Sequence, residues 1–141
     1  QQTTFLIGGS QNLARSSEAQ LWRFGRGEVA GSVAYRQRVP APMVSGVLSG
    51  SSVGTDWLAV RFGKTTIDVD GYRVAPLICY EGLTAWALLS SLSAKPDVIV
   101  FVTNTAWSDL DRFAHAQLSS HVRVWARLFG VPVLMASNRS R

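Results

Sequence analysis

The chain has one cysteine, Cys79, and two histidines, His115 and His121, among its 141 residues. A lone cysteine closes no internal disulfide, and these three residues cannot build a four-ligand structural zinc site. His115 and His121 are six positions apart and do not share a helix face, which makes them poor metal partners. Both read as surface or capping residues, with His115 also a candidate for orienting a site. Nothing calls for a cofactor. No apolar run approaches the ~18 to 20 residues of a membrane span, and the start of the chain lacks a charged head followed by a long apolar stretch. Internal repeats are absent as well. The expectation is a soluble segment.

What is present points to one globular domain over residues 1–141, with 47% apolar and 16% charged residues. The net charge of +5 comes mostly from arginine, scattered from Arg15 to Arg141. A nucleic-acid surface would show denser basic clusters interleaved with stacking aromatics, so nucleic acid is not the expected partner. A basic solvated surface, or contact with anionic lipid or an acidic partner, accounts for the charge.

The first half reads as strands joined by turns. "FLI" at 5–7 ends in Gly8-Gly9, and two further strands are expected near 19–25 and 30–37, cut by Gly25, Gly27 and Gly31. Residues 39–55, with two prolines and no charge before Asp56, have the composition of a long loop, either a lid or a disordered connector. Strands starting at Trp57 and over "TTIDV" follow, then an Asp70-Gly71 hairpin turn and the apolar strand "VAPLIC". The second half alternates. A helix carries Leu83, Trp86, Leu89 and Leu92 and stops at Lys95-Pro96; "DVIVFVTN" is a buried strand; a helix runs from about Phe113 to Gly130; "VPVLMASN" is a second buried strand. The class is mixed α/β, with a parallel sheet covered by helices and antiparallel strands before it.

Ligands gather at the carboxyl ends of parallel strands, here "LICYEG", "VTNTAW" and "ASNRS". Cys79 at the first end is either a buried core thiol or a nucleophile at the head of a helix, whose dipole favours the thiolate. Glu81 either orients a substrate or moves a proton, or else is a carboxylate satisfied by backbone N–H groups. Asn104 and Trp107 offer a hydrogen bond and an apolar wall, or a turn residue and a core residue.

The ordered set "LICYEG", "VFVTNTAW" and "GVPVLMASN" resembles the carbon–nitrogen hydrolase (nitrilase) superfamily. Through "ICYE", "N-x-A-W" and "G-x-P" it is most similar to the apolipoprotein N-acyltransferase branch, and "AYRQRVPAP" and "VWARLFGVP" resemble its conjugal-transfer TraB offshoot. The resemblance implies an αββα sandwich, of which these residues form an incomplete segment lacking the N- and C-terminal parts. It implies a Cys nucleophile, a Lys that stabilises the oxyanion and a general-base Glu. Cys79 then takes the nucleophile position, with Glu81 beside it and Tyr35, Arg38, Tyr80, Asn104 and Trp107 around the substrate.

Two departures follow from the same match. Gln37 stands where the family has lysine, and the family glutamate belongs to a segment upstream of residue 1. Gln37 donates a hydrogen bond but brings no charge, and charge-assisted bonds are about twice as strong. The expected chemistry is acyl transfer or amide hydrolysis through a thioester on Cys79. The alternative is a catalytically silent nitrilase-like module that binds a partner in conjugal transfer. The resemblance also implies a bacterial, membrane-anchored parent with this domain on the periplasmic side, an acyl or amide substrate, a lipid or membrane-associated partner, and pairing as a homodimer.

Overall fold

The computed structural model describes residues 4–13, 16–25, 31–39, 63–104 and 111–138. β1 (Phe5–Leu13) and β2 (Ser16–Phe24) pair antiparallel in unbroken register from Phe5 opposite Phe24 to Leu13 opposite Ser16. The expected stop at Gly8-Gly9 does not occur. Gly8 and Gly9 instead stay within β1, opposite Leu21 and Gln20, and an added Cβ at Gly8 would make only an ordinary contact with Val102, at 3.5 Å. β3 (Ser32–Arg36) pairs antiparallel with β2 across a bulge at Leu21/Trp22, as the hairpin pattern predicts. Beyond Val39, the expected loop and the strand starting at Trp57 lie outside the described residues.

The second sheet has the order β4 (Ile67–Val69), β5 (Tyr72–Ile78), β6 (Val98–Asn104), β7 (Val133–Asn138). Asp70 and Gly71 both take positive φ, 53° and 84°, which is what a tight hairpin between twisted antiparallel strands requires. β4 pairs with β5 only as far as Val74, so Pro76, which has no N–H, stands beyond the last β4 pair. From β5 onward the strands are parallel. The crossovers are α1 (Ala85–Ser93) and α2 (Asp111–Phe129). Lys95 in the left-handed region and Pro96 end the first, and Gly130 at φ 66° ends the second with Val131 N–H returning to the Ala126 carbonyl.

Both helices cover one face of this sheet. Ala75, Leu77, Ile99 and Phe101 pack there against Leu88, Leu92, Leu118, Val122 and Ala126, each buried large side chain contributing about 1.5 to 3 kcal/mol. The other face meets the first sheet through Ile78 and Val102 against Leu6, Ala19, Leu21 and Tyr35. The described residues thus form helix, mixed sheet and antiparallel sheet, three layers of an αββα sandwich. β7 departs from its expected full burial: it is the end strand, and Leu134 is 63% exposed.

Candidate functional site

Parallel pairing brings the three strand ends side by side. Ile78 stands opposite Val102, Thr103 opposite Ser137 and Asn104 opposite Asn138, so Cys79 emerges from β5 beside the end of β6. Alternation along β5 would send Cys79 to the helix face with Ala75 and Leu77. Its φ of 48° breaks that alternation and packs the half-buried thiol against the Leu21, Tyr35 and Ile78 cluster between the sheets. Left-handed backbone in a residue with a side chain costs about 1 to 2 kcal/mol, so the surroundings must hold it.

One premise for Cys79 is corrected. It does not head an α-helix; it opens a five-residue 3-10 turn, Cys79–Leu83, and α1 starts only at Ala85. So few peptide units carry little of the aligned dipole that favours a thiolate.

What holds the turn is a buried knot around Glu81. Its side chain is fully buried, and Oε1 accepts from the Tyr35 hydroxyl at 2.9 Å and the Arg38 main-chain N–H at 2.6 Å. The Val39 N–H also reaches Oε1 at 3.3 Å, and Oε2 accepts from the Ile78 N–H at 2.8 Å. Arg38, 3% exposed, directs Nε to the Tyr35 oxygen at 2.7 Å and its outer nitrogens to Ser90 Oγ, Ser91 Oγ and the Ala87 carbonyl. Its guanidinium lies 3.7 Å from Glu81 and 5.8 Å from the centres of the Tyr35 and Trp86 rings. Burial pushes the Glu81 carboxyl above its ordinary range, opposed by the Ile78 N–H, the Arg38 charge and the other donors. Burial, and then the Glu81 charge, push the Tyr35 phenol far above its ordinary value.

Gln37 sits at the same place from the other side. Its Nε2 donates to the Ile78 carbonyl at 2.9 Å, and its main-chain N–H donates to Ala19. Ile78, the residue before Cys79, therefore has both main-chain polar groups held by side chains. Arg38, whose donors are directed into the knot, does not face the thiol as a substitute for lysine, and Arg36 is exposed on β3.

Tyr80 is half-buried within the turn, and its carbonyl accepts from Thr84 Oγ1 at 3.2 Å. Asn104 is exposed at the end of β6. Trp107 lies outside the described residues. His115 is 3.5 Å from Ser119 Oγ on its own helix. His121 is no surface residue: it is half-buried, with Nδ1 2.6 Å from the Gly82 carbonyl while Nε2 accepts from Trp125 Nε1 at 3.3 Å. The contacts tether this ring of α2 to the turn that follows Cys79. Sequence reasoning missed this tether, and also missed Ser90 and Ser91, whose only signal is that, with Ser93, they are the polar residues of an otherwise apolar helix. Among the described residues no group of three or more His, Cys, Asp or Glu is placed to hold a metal ion, and no helix is long and apolar enough to cross a membrane.

No protein-family model matches the chain. It is 37% identical over 108 residues to a conjugal transfer protein TraB of Agrobacterium fabrum, covering 75% of this chain and 25% of the relative. It is 36% identical over 110 residues to a probable conjugal transfer protein TraB of Sinorhizobium fredii, covering 77% and 28%. The chain thus spans about a quarter of the length of these curated bacterial relatives. In three dimensions it is similar to a carbon–nitrogen hydrolase from Helicobacter pylori, with a TM-score of 0.63 at 11% identity over 95% of this chain and 45% of that one.

Proposed function

Since this chain has, in part, the fold of the carbon–nitrogen hydrolases and is similar in sequence to TraB conjugal transfer proteins, we propose that Cys79 is an acyl-accepting nucleophile. The observation that carries this reading is its backbone: a left-handed cysteine at a parallel strand end, whose preceding residue is held by Gln37 and Glu81. In the proposed reaction the thiolate adds to an acyl or amide carbonyl, and the bond to the leaving group breaks. The leaving group departs with the proton the thiol has given up, and a thioester forms. An amine or water then takes the acyl group and restores the thiol. Gln37 lends a neutral donor near the nucleophile, while Tyr35, Arg38 and Glu81 are positioning residues. Tyr80 and Asn104 border the substrate.

Alkylation of Cys79 by iodoacetamide against pH tests the reading, since a lone cysteine makes the readout unambiguous. A midpoint well below the ordinary ~8.5 supports an activated thiolate. A thiol that reacts only after denaturation overturns it.

A second reading, a silent nitrilase-like module that binds a partner during conjugal transfer, is favoured by Gln37 in the lysine position and by Arg38 being turned into the knot. Gln37→Lys separates the two. A large gain in Cys79 acylation marks a weakened enzyme, and no change marks a scaffold.

A further inference from the structure

The outward side of the helix layer carries a composition that neither the fold nor Cys79 requires. α2 buries Leu118, Val122 and Ala126 against the sheet, yet on its other side Phe113, Val124 and Leu128 are 63%, 61% and 72% exposed. At 100° per residue these three, with Gln117, fall on one stripe. Arg112, Arg123 and Arg127, all exposed, fall on the stripe beside it. α1 contributes Leu89, 45% exposed, and has no charged residue; Leu83 just before it is 42% exposed. Asp111, the first residue of α2, is the single acid within the two helices.

We propose that this face docks on an anionic bilayer surface. A soluble helix ordinarily gives its outward side to mixed charges, whereas here it bears a largely apolar stripe flanked on one side by arginines, with no acid on either stripe. That is the pattern of an interfacial helix, whose apolar side chains enter the headgroup boundary while neighbouring arginines pair with lipid phosphates. The charge pattern disfavours antiparallel pairing of this helix with that of a second copy, because it brings arginine stripes together with no carboxylates between them. Among the described residues no helix is long and apolar enough to cross a bilayer, so docking here is lateral.

The test is sedimentation of the full chain with phosphatidylcholine vesicles and with vesicles that also contain phosphatidylglycerol. Binding is expected to the anionic vesicles only, and to vanish near 1 M salt, where the screening length is about 3 Å. Arg123→Glu with Arg127→Glu is expected to weaken it about tenfold or more, and Val124→Ser with Leu128→Ser to weaken it also. All four positions are exposed, so unchanged circular dichroism checks that the variants fold. Equal binding to both vesicle types, or binding to neither, overturns the proposal. So does a salt-resistant dimer that the serine variants dissolve, which assigns the face to a second copy.

Discussion

Gln37 and Glu81 hold Ile78 from opposite sides, one donating to its carbonyl at 2.9 Å and the other accepting from its N–H at 2.8 Å. The strand end that presents Cys79 is thereby tied to β3 through side chains rather than through sheet pairing.

Gln37→Ala should cost about 1 kcal/mol of stability, the net worth of one hydrogen bond. Gln37→Lys should raise the rate of Cys79 alkylation near neutral pH, because a nearby cation favours the thiolate. Urea unfolding and iodoacetamide kinetics read the two effects. An unaltered alkylation rate in the lysine variant would place this side chain too far from the thiol to act on it.

Removing the charge at Glu81 leaves the Arg38 guanidinium buried beside a neutral group. Glu81→Gln should therefore destabilise the fold by about 3 to 5 kcal/mol. The double variant Arg38→Met, Glu81→Leu should cost less than Glu81→Gln alone, since no unpaired charge remains. Denaturant unfolding of the set checks the order. A double variant as unstable as the sum of its parts would contradict an ion pair at the centre of the knot.

The Tyr35 phenol has its folded-state pKa raised above the ordinary value of about 10, first by burial and then by the Glu81 charge. For a raised group the stabilisation is fully present below the unfolded pKa and is lost as pH rises beyond it. Stability should therefore fall from about pH 10 upward, as phenols of the unfolded chain ionise while Tyr35 stays protonated. Tyr35→Phe should lose about 1 to 3 kcal/mol at neutral pH and show a shallower alkaline decline. Equal alkaline slopes for the two proteins, measured by urea midpoints between about pH 9 and 11, would count against this account.

Gly82 has no room to grow. An added Cβ would lie 2.8 Å from the Phe101 ring and 2.9 Å from Val122, both buried in the core under the turn. Gly82→Ala should cost about 1 to 3 kcal/mol and displace the turn that carries Cys79. Thermal unfolding and a changed alkylation rate would report the two consequences together. A variant as stable as the parent, with unchanged alkylation, would show that the core yields there at no cost.

Much of this architecture was legible because it rests on period and punctuation. The β-branched run before Asn104, the Asp70-Gly71 turn and the glycine after Phe129 each announced an element, and the three strand ends did come to lie side by side. The extent of β1 was not legible, since a glycine pair reads as a turn until its pairing with Leu21 and Gln20 of β2 is known. Nor was the part played by Arg38. Its sequence neighbourhood says surface arginine, and only the fold brings Tyr35, Glu81, Ser90 and Ser91 around it from residues up to 53 positions away. His121 was misread for the same reason: spacing excluded a metal pair but carried no sign of the Gly82 carbonyl.

The same knot bears on how the chain folds. β1, β2 and β3 join through neighbouring hairpins, so their pairing needs only short loop closures and can form early. The bond from the Arg38 N–H to Glu81 closes 43 residues at once, and parallel pairing of β5 with β6 waits on a whole crossover helix. Assembly around Cys79 is thus a late event that needs both sheets and the first helix in place. A chain halted partway, with its antiparallel sheet complete, would have its cysteine but no cradle for it, and the time at which the Arg38 amide gains protection in pulse-labelled refolding would date the moment at which the two halves become one structure.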